Sequence, residues 1–222
     1  MRKWLVRLVI FGAVVTAGLY VARNALARRA AEIGLHAATG LPVEIAAAEL
    51  SPFASRLEVR QIRLGNPPGF SEARFAEISR LFVDYRLPTL LTGDHHVRQI
   101  ILRVDHLYLV KNQQGELNYK SRRAATTTTG SKPATRYRCD ELHLHLGQVT
   151  IKDFSRPKPT TRTYTLDLDR SYYDITETTD LSRLVLASLA GTLPLPELKT
   201  FWDSASKSGQ QLLDAIKGAV PK

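Results

Sequence analysis

The stretch that decides the fold is residues 139–154, CDELHLHLGQVTIKDF. Leu142, Leu144 and Leu146 alternate with Glu141, His143 and His145, which is the period-two pattern of a strand with one face in a core and one in water. Gly147-Gln148 reads as a turn into a second short strand, Val149 to Phe154, carrying Val149 and Ile151. The next extended run places Tyr164, Leu166 and Leu168 against Thr165, Asp167 and Asp169.

The same alternation continues upstream. Leu57, Val59, Ile62 and Leu64 keep one face except for a slip at Arg60-Gln61, which predicts a bulge. Asn66-Pro67-Pro68-Gly69 is a turn, Phe75 to Leu87 a longer strand, and Val97 to Val110 a pair of strands broken near Val104. A meander of short strands with a single apolar face predicts an antiparallel sheet. Residues 121–135 hold four consecutive threonines, a glycine and a proline with almost nothing to bury, and are expected to form a flexible loop.

The two ends read as helices. Leu8 to Ala22 is an uncharged apolar run, and counting from Trp4 it gives a span of about 28 Å, near the thickness of a bilayer core. Residues 1–22 are therefore expected to be a cytoplasmic tip and transmembrane anchor, and 23–39 a juxtamembrane helix ending at Gly40. Trp4, Tyr20, Arg23, Arg28 and Arg29 are the expected membrane-contact residues. Ala25-Leu26-Ala27 also fits a signal-peptidase site, so a cleaved leader is the alternative. Residues 194–222 carry Leu198, Phe201, Trp202, Ala205, Leu212 and Ile216 on one helical stripe, the pattern of an amphipathic helix over the sheet.

The formal charge is +10, yet it is confined to two short segments. Residues 1–29 hold six basic residues and no acid, and residues 119–138 hold another six and no acid, so the remainder is slightly acidic. No folded basic face is indicated, and nucleic acid is not an expected partner. One cysteine excludes an internal disulfide framework. There is no G-x-S-x-G, P-loop, G-x-G-x-x-G or H-E-x-x-H, so no catalytic residue and no cofactor site is assigned. His143 and His145 with Cys139 and Glu141, and Asp167 with Asp169, are conceivable metal ligands by spacing, and an ordinary polar strand face is the simpler account of both.

The order of motifs resembles the AsmA-like family of inner-membrane-anchored periplasmic proteins, in its N-terminal region. The matching pieces are Thr39-Gly40-Leu41-Pro42-Val43, then Asn66-Pro67-Pro68-Gly69-Phe70, Leu90-Leu91-Thr92-Gly93, Gly115-Glu116-Leu117-Asn118-Tyr119 and Leu146-Gly147-Gln148-Val149-Thr150-Ile151-Lys152-Asp153. Tyr119 and Gln114 depart from that family's usual Trp and Asp.

The resemblance implies an α+β fold in which an N-terminal transmembrane helix precedes a curved antiparallel sheet forming an open apolar groove over 40–193, with the C-terminal amphipathic helix after it. It implies a non-enzymatic, single-pass protein of the bacterial inner membrane, N-terminus cytoplasmic and body periplasmic. Such a protein binds or passes phospholipid and contributes to outer-membrane assembly. The groove would be lined by Leu142, Leu144, Leu146, Val149, Ile151, Leu166 and Leu168. The alternative is a scaffold or adaptor subunit that meets an envelope partner through its sheet edge or C-terminal helix.

Overall fold

The structure, a computed structural model, describes residues 2–86, 95–118 and 137–176. Helix α1 (Arg2–Thr39) leads into six strands, β1 (Val43–Ser51), β2 (Arg56–Gly65), β3 (Arg74–Tyr85), β4 (His95–Lys111), β5 (Tyr137–Asp153) and β6 (Thr160–Ile175). They form one sheet in chain order, β1 to β6.

The sheet is mixed, which corrects the expected antiparallel meander. Every neighbouring pair is antiparallel except β4 and β5, which run parallel with Val97 beside Cys139, Leu102 beside Leu144 and Leu109 beside Ile151. Alternation of apolar and polar residues is the same in both arrangements, so the pattern could not separate them. The separating signal is the length of the connection. Residues 112–136 are far more than a hairpin turn needs, and a parallel neighbour requires such a return path. Two further expectations change. Val97 to Val110 belongs to one strand, not two, and Gly147-Gln148 lies inside β5 and makes no turn.

The expected transmembrane helix is likewise corrected: among the described residues no helix is long and apolar enough to cross a membrane. The uncharged run between Arg7 and Arg23 is Leu8–Ala22. At the helical rise it spans only about 22 Å against a core of about 30 Å. The expected helix over 194–222 and the loop over 121–135 lie outside the described residues.

The C-terminal half of α1 is part of the folded body. Ala27, Ala31 and Leu35, four residues apart on one helix face, pack with Leu41, Ile45 and Val59. The Leu50 backbone N–H, on the outer edge of β1, donates to Asn24 Oδ1 at 3.3 Å. Gly40 stops the helix: its φ of 66° is the left-handed conformation of a helix C-terminus, and its N–H closes on the His36 carbonyl at 2.7 Å.

The period-two pattern slips in a row across the whole sheet. Ala46, Gln61, Ser79, Asp105, Gly147 and Asp167 are each passed over in the pairing with a neighbouring strand. Gln61 and Asp167 take positive φ. On either side of the slip the apolar residues jump by three: Ile45 to Ala48, Val59 to Ile62, Ile78 to Leu81, Val104 to Leu107 and Leu146 to Val149. A second row runs through Arg98, Asp140 and Asp174, near the start of β4 and β5. Because both partners slip together, the apolar side chains return to the same face each time. Such bulges bend the strands that carry them.

At the first row the strands approach closely. A Cβ on Gly147 would sit 2.8 Å from the Asp105 carbonyl oxygen. Gly147→Ala should therefore force β4 and β5 apart and cost about 1–3 kcal/mol of stability, the usual range for overpacking. Urea unfolding of the two proteins side by side measures it, and equal midpoints would show the contact to be slack.

Candidate functional site

The residues expected to line a groove do share one face, and the pairing register shows how. Leu142 lies between Ile100 and Tyr172, Leu144 between Leu102 and Arg170, Leu146 between Val104 and Leu168, and Val149 between Leu107 and Tyr164. Leu146, Val149 and Leu168 form a buried cluster with Leu109 and Leu117, against which Ile151, Tyr164 and Leu166 pack. The face is not open to water as expected: Leu142 and Val149 are 0% exposed, Leu144 1% and Leu146 2%. Partial exposure is kept toward β6, at Ile151, Tyr164 and Leu166.

The first three strands extend this face, which the expected lining confined to β5 and β6. Ile45, Ile62 and Ile78 form one cross-strand row, and Ala48, Val59 and Leu81 another. The jump of three between the rows is the sequence signal that links them to β5. The same logic relocates Cys139. Counting by twos from His143 puts it on the polar face, but the slip at Asp140 returns it to the apolar side. There it is buried with Val97, Leu142 and Ile175, its thiol donating to the Glu141 carbonyl at 3.2 Å.

The opposite face is polar and heavily paired. Glu58 accepts from Arg60 and Arg80, each at 3.0 Å. The Arg60 hydrogen bond leads in holding the Glu58 carboxyl below its ordinary range, against the opposing effect of burial. Four histidines of β4 and β5, His96, His106, His143 and His145, face an acid or hydroxyl on the next strand. His96 Nε2 lies 2.8 Å from both Asp140 oxygens. His143 Nε2 is 2.9 Å from Asp169 Oδ1, and His106 Nε2 is 2.7 Å from Thr150 Oγ1. His145 stands 3.9 Å from Asp167. A cleft of about 420 Å³ opens along the slip row, lined by Glu77, Asp105, His106, His145 and Asp167 among others. Among the described residues no three His, Cys, Asp or Glu side chains converge on a metal position.

One corner of the sheet is tied by buried amides. Asn118 is 1% exposed. Its Nδ2 donates to Asn66 Oδ1 at 2.8 Å and to the Tyr108 carbonyl at 2.7 Å, while its Oδ1 accepts the Val110 N–H at 3.1 Å. Asn66 Nδ2 in turn donates to the Glu72 and Arg74 carbonyls, each at 2.8 Å. The Asn-Pro-Pro-Gly turn and the Gly-Glu-Leu-Asn segment, 52 residues apart at their asparagines, are thus one hydrogen-bonded unit. Lys152 at the end of β5 reaches Glu72 in the same corner.

The expected membrane-contact residues lie on α1. Trp4 and Tyr20 are exposed. Arg23 lies over the Tyr20 ring, 3.8 Å from its centroid, and Arg28 and Arg29 both reach Glu32. No protein-family model, curated protein or solved structure matches the chain.

Two outcomes follow from the corner. Asn118→Ala leaves the Val110 N–H and Asn66 Oδ1 without partners in a dry site and should cost about 2–4 kcal/mol in chemical denaturation. Glu72 sets an acid limit. Burial pushes its carboxyl up, but the hydrogen bond from Lys152, the Arg74 N–H and the two cations outweigh burial and bring it below the ordinary value. A carboxyl depressed in the folded state contributes stability above its unfolded pKa and loses it as pH falls through the lower folded value. The thermal midpoint should therefore fall between about pH 5 and pH 3, and Glu72→Gln should flatten that fall. A variant whose midpoint follows the parent's pH profile would dismiss the pair as a contributor.

Proposed function

We propose that this chain is an AsmA-like protein of the bacterial periplasm that binds phospholipid against the apolar face of its sheet. On this reading it is non-enzymatic and contributes to assembly of the outer membrane. The observation that supports the reading is the continuity of that face. Apolar side chains recur on one side of all six strands, and at the end of β5 and on β6 part of that side keeps partial exposure, at Ile151, Tyr164 and Leu166. The tie between Asn66 and Asn118 adds support, since two of the motifs that carry the family resemblance meet there.

An acyl chain would reach the face from the β6 side, where Ile151, Tyr164 and Leu166 keep partial exposure. The basic residues Arg7 and Arg23 of α1, with no acid before Glu32 in the sequence, would lie against anionic headgroups. The six strands among the described residues, at about 4.8 Å each, make a sheet about 29 Å wide.

Organic extraction of the purified chain followed by lipid mass spectrometry tests the proposal. About one phospholipid per chain is expected, with Leu166→Asp reducing the yield severalfold while the far-ultraviolet circular dichroism is unchanged. A parent protein that carries no lipid, and takes none up from anionic vesicles, would sink this function and leave an envelope scaffold as the better account.

A further inference from the structure

We propose that the turn between β1 and β2 is a second membrane contact beside α1, with Phe53 entering the headgroup region of an anionic bilayer; this rests on the reading above that α1 meets such headgroups. Phe53 is 98% exposed. The turn that carries it is braced. The Ser55 N–H donates to the Pro52 carbonyl at 3.1 Å, the Ser55 carbonyl accepts the Tyr85 N–H at 3.0 Å, and Pro52 fixes its own φ. A single exposed ring is ordinary, but this one belongs to a set. Among the described residues the other large apolar side chains exposed to water lie on α1, Tyr173 excepted.

The register gathers this set at one end of the sheet. Ser51 pairs with Arg56, Arg56 with Asp84, Tyr85 with Val97, Val97 with Cys139 and Cys139 with Ile175, so the turn shares its end with Tyr173. Helix α1 passes the same place, since Asn24 accepts the N–H of Leu50, three residues before Phe53. The helix stops at the opposite end, where the Gly65 N–H donates to the Pro42 carbonyl. Residues 2–23 therefore run on past the turn, about 33 Å at the helical rise. They expose Trp4, Ile10, Phe11, Val14, Tyr20 and Val21. Arg23 lies over the Tyr20 ring, and neither it nor Arg7 has an acid before Glu32 in the sequence. Aromatic, aliphatic and arginine side chains projecting together suit a headgroup region, which yields around each of them, whereas a protein partner would need a shaped pocket for each. Asp84, Asp140 and Asp174 at this end are each paired with an arginine, which removes their repulsion toward an anionic surface. The sheet then stands end-on to the bilayer, and the Asn66–Asn118 corner points away from it.

Vesicles of phosphatidylcholine and phosphatidylglycerol test the contact with the full chain. A nitrobenzoxadiazole label on Phe53→Cys should brighten and shift to the blue when vesicles are added. The same label on Lys158→Cys, exposed in the β5–β6 connection at the far end, should not. Cys139 is buried and stays unlabelled. Phe53→Ser should weaken vesicle binding about tenfold, and Phe53→Trp should keep it. A label at 53 that stays water-like on bound vesicles, or a Phe53→Ser variant that binds as the parent does, overturns the contact and leaves the lipid reading standing. A parent that ignores the vesicles overturns it too, and lipid extraction of the purified chain then decides the lipid reading separately. Sedimentation velocity of the parent and Phe53→Ser is the last arm: a dimer lost in the variant would make the turn a contact between copies and overturn the bilayer assignment.

Discussion

Each strand has to bury apolar side chains on one side of a single sheet, and the chain meets that requirement although its alternation is broken twice. The device is that neighbouring strands slip at matching positions. Gln61 slips beside Ala46 and Ser79, and Asp105 beside Gly147, so no strand turns its leucines and isoleucines outward. A slip in one strand alone would expose every apolar residue beyond it. Two other features depend on this matching: the dry face and the polar face of paired acids and bases behind it. The cleft lined by Asp105, His145 and Asp167 follows from it as well, since it lies where the ladder opens.

The second constraint acts at one corner. Asn118 and Asn66 can be buried only because their amide groups find carbonyl or N–H partners. The turn between β2 and β3 and the segment after β4 consequently cannot move independently, and Lys152 brings β5 to the same place. The opposite edge is held differently, by α1, whose Ala27, Ala31 and Leu35 bring the helix close to β1 through small or flexible side chains.

Much of the strand content was legible from period-two alternation, and the stop of α1 at Gly40 from the glycine itself. The slip at Arg60-Gln61 was legible because charged residues flank it. The equivalent slips at Asp105 and Gly147 look in sequence like a strand break and a turn, because a glycine or an acid inside an apolar run carries the same signature as a loop. Cys139 was assigned to the wrong face for the same reason. The parallel pair was hidden because face alternation does not encode strand direction. The anchor reading failed on length, since it counted through Arg7. Of the expected groove, the shared face of Leu142 to Leu168 was legible, and its dryness was not: burial depends on what else the chain brings to that side, and alternation records only which residues share a side.

The single parallel ladder also shapes how the chain finds its fold. The β1–β2 and β2–β3 pairs close through short turns, and β5 and β6 are consecutive and antiparallel. Between these two locally closed units, contact begins with His95 beside Tyr137 and needs partners about forty positions apart along the entire ladder. The entropy of loop closure is therefore concentrated in one step, the docking of a two-stranded unit onto a four-stranded one. Until that step, the edges of β4 and β5 are both uncovered and competent to pair with another chain. The joint in the middle of the sheet is thus where the rate of folding and the risk of misassembly are set together.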